Sequence, residues 1–499
     1  MSPGGLGAAI LASCRAHARA TALVGAGGSL AYAELGERAS ALAAGLRAQR
    51  LEPHEPVVAM VANRPLDLVA FAGVWLAGGV VVPVHGSNPA AVVARHLDAT
   101  GARIVVDADG PTGAPEGWRR EGDLLLAGRA PPAPRALLDG AALILFTSGS
   151  TGAPKGVVLS HRGFGGKLDV LEKLLAFAPG ERTLLVLNVT FSFGDWVSLA
   201  TLRTGGMLVM HEKFAPLAFC RTLAEAGIAR TAVVPTMMRA LAAELEHAPV
   251  AAALAAANRA GAPRQLFIGG ESLGRALAAE LAGRFPGARL VDIYGLTETS
   301  TSDFCLFPED YPRHAGTIGR PSPHVAFRIA GPAGEEMPAG EVGELQLRTP
   351  YLMSGYLDAP ELTARAFQDG WFRTGDLART RAGGVVELAG RAKELIVRGG
   401  NKVSPLEVEQ VFAAHPDVAA AMATGLPDPI LGERIHLLIV PRPGRTCGAE
   451  ALREFAAPLL PKFKQPDAFH FADALPLGRT GKADRGALRV MLAAQDAGV

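Results

Sequence analysis

The chain has 499 residues, 49% hydrophobic and 19% charged with 59 glycines, and its 49 basic residues nearly cancel its 48 acidic ones to a formal charge of +1. That length exceeds what one hydrophobic core usually supports, and the composition has neither the basic excess of a nucleic-acid binder nor the polar bias of a disordered chain. Cys14, Cys220, Cys305 and Cys447 stand far apart with no CxxC pair, which argues against a zinc site or a disulfide framework and fits a reducing cytoplasm.

The N-terminal MSPGGLGAAILASCRAHARA has no basic start before its apolar patch and makes a poor secretion signal. VVAMVA at 57–62 has the continuous apolar pattern of a strand buried on both faces. The uncharged run 68–84 is short for a membrane span and is broken by Gly78, Gly79 and Pro83. Pro65 opens a helix there, the glycine pair ends it, and a strand follows at 80–84. ARIVVD at 102–107 and ALILFTS at 142–148 repeat the buried-strand pattern between Ala-rich helical stretches. The fold class expected is therefore α/β, a large N-terminal domain of mostly parallel sheets flanked by helices. Residues 110–135, dense in Pro, Gly and charge, are expected to wander over the surface. Past Gly383-Gly384 the strand signals shorten to VVELAG and ELIVRGG, and helices follow near Pro405 and from Gly448 to Leu460. This pattern predicts a small α+β C-terminal domain, with the boundary near Gly390 dividing the chain into 1–389 and 390–499.

Residues 147–156 read TSGSTGAPKG, directly after the strand expected from Leu143 to Phe146 and before the apolar VVLS. Gly149 and Gly152 let backbone N–H groups converge on an anion, and the hydroxyls of Thr147, Ser148, Ser150 and Thr151 add donors. Lys155 supplies a compact positive charge. The glycine spacing differs from that of the P-loop, and no Ser or Thr follows the lysine. A flexible surface turn would have the same composition, so the loop has to be weighed with its companions.

Those companions are YGLTET at 294–299, GELQLRTPYLMSGY at 343–356, WFRTGD at 371–376, GRAKELIVRGG at 390–400 and GRTGKADR at 478–485. With the glycine-rich loop they make six motifs in the order found in the adenylate-forming superfamily, which the chain resembles from Leu30-Ala31-Tyr32 to Arg485. That superfamily contains acyl- and aryl-CoA synthetases, adenylation domains of nonribosomal peptide synthetases, and firefly luciferase. The resemblance implies that ATP activates a carboxylic acid as an acyl-adenylate, and that a mobile C-terminal domain swings between two half-reactions.

It also implies roles for single residues. Tyr294 would stack on adenine, with Gly269-Gly270-Glu271 letting backbone approach the other face of the base. Thr297 would bind the α-phosphate, and Glu298 would offer an oxygen ligand to Mg2+, which prefers one or two carboxylates plus substrate phosphates. Asp376 would accept both ribose hydroxyls, with Arg391 adding donors from the other domain. Lys482 would be the lysine of the adenylation step and Lys393 the hinge.

The acid pocket is expected to begin at NVTFSFGDW, 188–196, where Phe191 stands in the place of a histidine found in many CoA ligases. Val234-Pro235-Thr236-Met237, Phe267 and Leu296 add a mostly apolar wall, which suits a hydrophobic acyl or aryl acid. Amino-acid-activating relatives place an Asp directly after the SF pair; here that position is Gly194, and Asp195 or Asp303 remains to meet a polar substrate group. RGGNKVSP at 398–405 resembles CoA ligases, in which Gly399 and Gly400 let the pantetheine arm pass. CoA is therefore the acceptor favoured, and a separate acyl or peptidyl carrier protein the alternative. A luciferase-like oxidation and a non-catalytic binding protein are the readings from other classes; the presence of Lys482, Glu298 and Lys155 argues against the second.

Overall fold

A computed structural model gives the structure of the chain and describes residues 5–108, 118–148, 154–478 and 482–496. Among these residues the strands form four sheets, of nine, eight, five and five strands. In the nine-stranded sheet, Thr21–Gly25, Met207–Met210, Arg182–Leu185, Arg230–Val233, Gln265–Gly269 and Arg289–Tyr294 pair in parallel, with antiparallel strands at both edges. In the eight-stranded sheet the parallel set is Pro56–Val61, Val80–His85, Ile104–Val106 and Ala141–Ser148.

The continuous apolar strands are explained by which core each side chain enters. Val57, Ala59 and Val61 point into the largest core, while Val58 and Met60, on the opposite face, join a second one. Leu185 enters the largest core and Leu184 a third. The helices Gly5–Ala16, Tyr32–Ala48, Pro65–Ala77, His161–Leu174 and Ser192–Arg203 are therefore sandwiched between two sheets. Each large apolar side chain fully buried there, Trp196 or Phe164 for example, contributes roughly 1.5–3 kcal/mol. The 65–84 segment forms as expected, a helix with Pro65 at its start, Gly78 left-handed at its end, and the strand Val80–His85 after it.

Two expectations change. The stretch 110–135 does not simply wander: Trp118–Glu121 and Leu124–Ala127 form a hairpin whose second strand pairs with Ile104–Val106, burying Leu124, Leu125 and Leu126. The strand Val386–Arg391, part of the VVELAG signal, belongs to a wholly antiparallel sheet with Trp371–Thr380, Gly343–Arg348, Ala326–Ala330 and Phe367–Gln368. The last sheet begins only at Ile396–Arg398, and the turn Ala392–Glu394 joins the two. That last sheet closes its own core around Phe412, Leu437 and Leu452.

All four cysteines are free thiols. Among the described residues no single helix is long and apolar enough to cross a membrane. The bent pair Pro235–Glu244 and Ala248–Arg259 passes on length and composition, yet Met238, Leu241, Val250 and Leu254 are buried in a core against the nine-stranded sheet.

Candidate active site

The glycine-rich segment leaves the sheet at Ser148 and returns at Pro154, with Thr147 paired across from Lys155. Gly149, Ser150, Thr151 and Gly152 lie outside the described residues. The Lys155 ammonium sits 5.4 Å from the centre of the Tyr356 ring, and the Tyr356 hydroxyl donates to Glu298 Oε1 at 2.9 Å. The strand Gly355–Tyr356 holds this ring in place by pairing with Pro154–Ser160. Tyr356 thus joins the phosphate lysine to the expected metal carboxylate. Sequence reasoning gave it no role, although it is the last residue of a recognised motif.

Glu298 and Thr297 lie in a single helical turn, Thr297–Thr299, and the Thr297 hydroxyl is 3.2 Å from that of Ser192. After the turn, Ser300, Thr301 and Ser302 take φ of 57°, 69° and 52°, a left-handed run costing roughly 1–3 kcal/mol per residue. Neighbouring contacts impose it: Thr301 N donates to Leu296 O at 2.8 Å, Asp303 N to Tyr294 O at 2.7 Å, and Ser300 Oγ to Tyr351 O at 2.7 Å.

Asp303, expected as a residue able to meet a polar substrate group, anchors this loop. Its side chain is fully buried, with Lys167 Nζ 3.0 Å away on one oxygen and the Thr299 hydroxyl donating to the other. Both partners belong to the fold, and the carboxylate has no exposed surface. Lys167 comes from a helix 136 residues earlier, so no local pattern announces the pair.

Tyr294, Asp376 and Arg391 form a second cluster. The Tyr294 hydroxyl donates to Asp376 Oδ2 at 2.6 Å, and Arg391 Nε lies 2.9 Å from Asp376 Oδ1. Arg391 was expected from the other domain. It is instead the direct cross-strand neighbour of Asp376 in the antiparallel sheet. Burial pushes the Asp376 carboxyl up, against the pull of Arg391 and of the Tyr294 hydroxyl. Burial first, then Asp376, pushes the Tyr294 phenol well above its usual range.

Lys482 reaches this cluster from the C-terminal region. A Cβ added to Gly270, whose φ is +86°, would lie 2.7 Å from Lys482 Cε and 2.8 Å from Nζ. A side chain there would push the lysine tip aside, and the positive φ itself favours glycine. Burial depresses the Lys482 ammonium, Glu271 pulls it up and Arg391 pulls it down. The adjacent Ala483 N donates to Glu271 Oε1 at 3.1 Å, and the same oxygen accepts from the Thr236 hydroxyl at 2.7 Å. Thr236, expected in the acid pocket, thus has its hydroxyl engaged by Glu271.

Around the expected acid pocket, Phe191 precedes the helix Ser192–Arg203, and both Phe191 and Leu296 are half-buried. A Cβ on Gly194 would collide with the Asn188 carbonyl oxygen, so the position after the SF pair cannot hold an aspartate in this backbone. Phe267 is fully buried core, packed 6.0 Å from the Trp196 ring. Asp195 lies one helical turn from Ser192, is 1% exposed, and has no hydrogen-bond partner on either carboxylate oxygen.

Burial raises the Asp195 carboxyl well above its ordinary 3.8. The folded state then holds a proton that the unfolded state has already released, so stability contributed by this group falls as pH rises between the two values. As pH rises above the ordinary carboxylate range, chemical denaturation of wild type should lose stability relative to Asp195→Asn, by at most about 1.4 kcal/mol per pH unit. Parallel curves for the two proteins would contradict this.

Gly399 and Gly400, with φ of 56° and 79°, turn the hairpin between Ile396–Arg398 and Asn401–Val403. That local role accounts for both glycines, and none of the contacts described for the nucleotide cluster includes them. Lys393, expected as the hinge, lies in the Ala392–Glu394 turn between two sheets.

These clusters, a glycine-rich loop, a Thr-Glu turn, a Tyr-Asp-Arg bracket and a lysine delivered by a late loop, lie along one chain. The family model described as AMP-binding enzyme matches residues 11–357, and that of the AMP-binding enzyme C-terminal domain matches residues 407–482. The chain belongs to the AMP-binding enzyme family. It is 32% identical over 493 residues to a feruloyl-CoA synthase of an Amycolatopsis species, covering 97% of this chain and 98% of that one. It is 30% identical over 484 residues to the fatty acid–[acyl-carrier-protein] ligase ScoC of Streptomyces coeruleorubidus, covering 93% and 92%. The structure superposes on ATP-bound MatB of Rhodopseudomonas palustris with a TM-score of 0.83 at 26% identity, over 98% of each chain. As a member of this family the chain has the large N-terminal and smaller C-terminal parts expected from its motifs.

Proposed function

We propose that this AMP-binding enzyme activates a hydrophobic carboxylic acid with ATP and transfers the acyl group to CoA. The observation that carries the reading is the seating of Lys482 on Gly270, near Arg391 and the Tyr294–Asp376 bracket. In the first half-reaction a carboxylate oxygen attacks the α-phosphorus of ATP, the bond to pyrophosphate breaks, and acyl-AMP forms. Lys482 offsets the charge that gathers there, and Thr297 adds a hydroxyl donor. Asp376 accepts the ribose hydroxyls and Tyr294 stacks on adenine. In the second half-reaction the CoA thiol attacks the acyl carbon, its proton passes to solvent, and AMP leaves.

Lys155 and the loop 147–156 hold the β- and γ-phosphates in this reading. Among the described residues no group of three or more His, Cys, Asp or Glu could hold a metal by itself. One carboxylate beside a phosphate loop fits Mg2+, with Glu298 as the protein ligand and ATP oxygens supplying the rest. The ion would neutralise phosphate charge. The two moving units meet in this reading at the Ala392–Glu394 turn and rotate about Lys393, because Gly390 and Arg391 belong to the strand paired with Trp371–Thr380, and the cytoplasm, where ATP and CoA are at hand, is the fitting compartment.

Phe191, Leu296 and Met237 support an aryl or aliphatic acid, as does similarity to enzymes named for feruloyl and fatty-acid substrates. The second of these supports the alternative acceptor, a separate carrier protein. With ATP, Mg2+ and a panel of aryl and aliphatic acids, mass spectrometry is expected to find acyl-CoA and AMP. Acylated carrier protein without acyl-CoA would move the reading to the second acceptor.

A further inference from the structure

Glu271 follows the glycine pair of the nucleotide turn, where its backbone was expected to approach adenine. Its side chain does something else. Oε1 accepts from Thr236 Oγ1 at 2.7 Å and from Ala483 N at 3.1 Å, and Arg239 Nη1 stands 3.3 Å from Oε2. The side chain is 14% exposed, so these contacts are made largely out of water. We infer that Glu271 is a positioning residue for adenylation, a latch that fastens the Lys482 loop to the nucleotide turn. The inference rests on the reading of Lys482 as the adenylation lysine.

The geometry of the loop supports it. Leu477 and Ala483 form an antiparallel bridge, Gly478 N donates to Lys482 O at 2.8 Å, and Asp484 N to Pro476 O at 2.9 Å. The bridge to Leu477 holds Ala483 in place, and fixing its N atom fixes where the preceding Lys482 side chain emerges. Ala483 lies 212 residues beyond Glu271 and one residue past the segment matched by the C-terminal family model, so the bond ties the late loop to the N-terminal segment and exists only while the loop is docked. Thr236 and Arg239, from the helix Pro235–Glu244, hold the carboxylate in a pre-set direction. The charged groups acting on Lys482 are Glu271, which favours the ammonium, and Arg391, which opposes it. Glu271 therefore has two separable effects, a hydrogen bond to the loop and a negative charge near the lysine.

The test uses the full-length enzyme with Glu271→Ala and Glu271→Gln, assayed on each half-reaction. Glu271→Ala is expected to lower kcat for acid-dependent ATP–pyrophosphate exchange by at least tenfold with ATP KM within about threefold, roughly the loss of one charge-assisted hydrogen bond. Conversion of chemically prepared acyl-AMP to thioester is expected to fall less than twofold. Glu271→Gln, which keeps an acceptor for Ala483 N, is expected to restore most of the exchange kcat while moving the alkaline limb of its pH profile to lower pH. Equal loss in both half-reactions, no rescue by Gln, or wild-type exchange in Glu271→Ala would overturn the latch. If Lys482→Ala abolishes exchange while Glu271→Ala does not, the latch alone is wrong. If Lys482→Ala leaves exchange intact, the underlying reading is wrong.

Discussion

Replacing Lys482 by alanine should lower acid-dependent ATP–pyrophosphate exchange by about 10²–10³-fold, the usual effect of removing one positioned donor at developing charge, or about 2.7–4 kcal/mol. The effect is expected in kcat, because negative charge increases at the α-phosphorus as the carboxylate attacks, and an ammonium placed there in advance stabilises that state more than the ground state. Thioester formation from preformed acyl-AMP should stay near the wild-type rate, since the phosphoryl chemistry is then complete. Burial lowers the pKa of this ammonium below the ordinary 10.5, so the active, protonated form is lost at lower pH than for a surface lysine. Exchange should decline on the alkaline side accordingly. A Lys482→Ala enzyme with wild-type exchange would remove the lysine from the mechanism.

The second large effect is expected at Asp376. Its two oxygens now accept from Tyr294 and pair with Arg391, and the same oxygens face the role of holding two ribose hydroxyls. Hydrogen bonds to a charged group are worth about 1.5–3 kcal/mol each, so Asp376→Ala should reduce kcat/KM for ATP by at least 10²-fold. Arg391 is 60% exposed and can turn to water, so its loss of a partner should cost the fold little. The expected result is a folded protein with a thermal transition near wild type and weak ATP binding by calorimetry. Unchanged ATP affinity would show that the bracket serves the sheet alone.

Much of this architecture could be read from the chain because its signals are local. Buried strands such as Pro56–Val61 carry continuous apolar runs, and Pro65 and Gly78 mark the ends of one helix. Glu298, Tyr294, Asp376 and Lys482 stand in short motifs whose order is itself informative. The antiparallel sheet ending at Arg391 was hidden because strands such as Trp371–Thr380 and Val386–Arg391 are largely half-buried and carry polar residues in place of a continuous apolar run, and WRRE at 118–121 reads as polar loop although it pairs at a sheet edge. The partners of Asp303 and Glu271 were not legible for another reason. The partner of a carboxylate is set by tertiary packing, and Lys167 and Ala483 lie 136 and 212 residues from the acids they meet. Gly194 shows the reverse case, since a substitution that looked like a change of substrate preference is required by the nearby Asn188 carbonyl.

The central claim, that the acid is activated by bonding to the α-phosphorus, is tested most directly by supplying a substrate acid labelled with ¹⁸O in its carboxylate, with ATP, Mg2+ and CoA. The account predicts that each turnover leaves one labelled oxygen in AMP and none in pyrophosphate. Label in inorganic phosphate, with ADP as the nucleotide product, would contradict it.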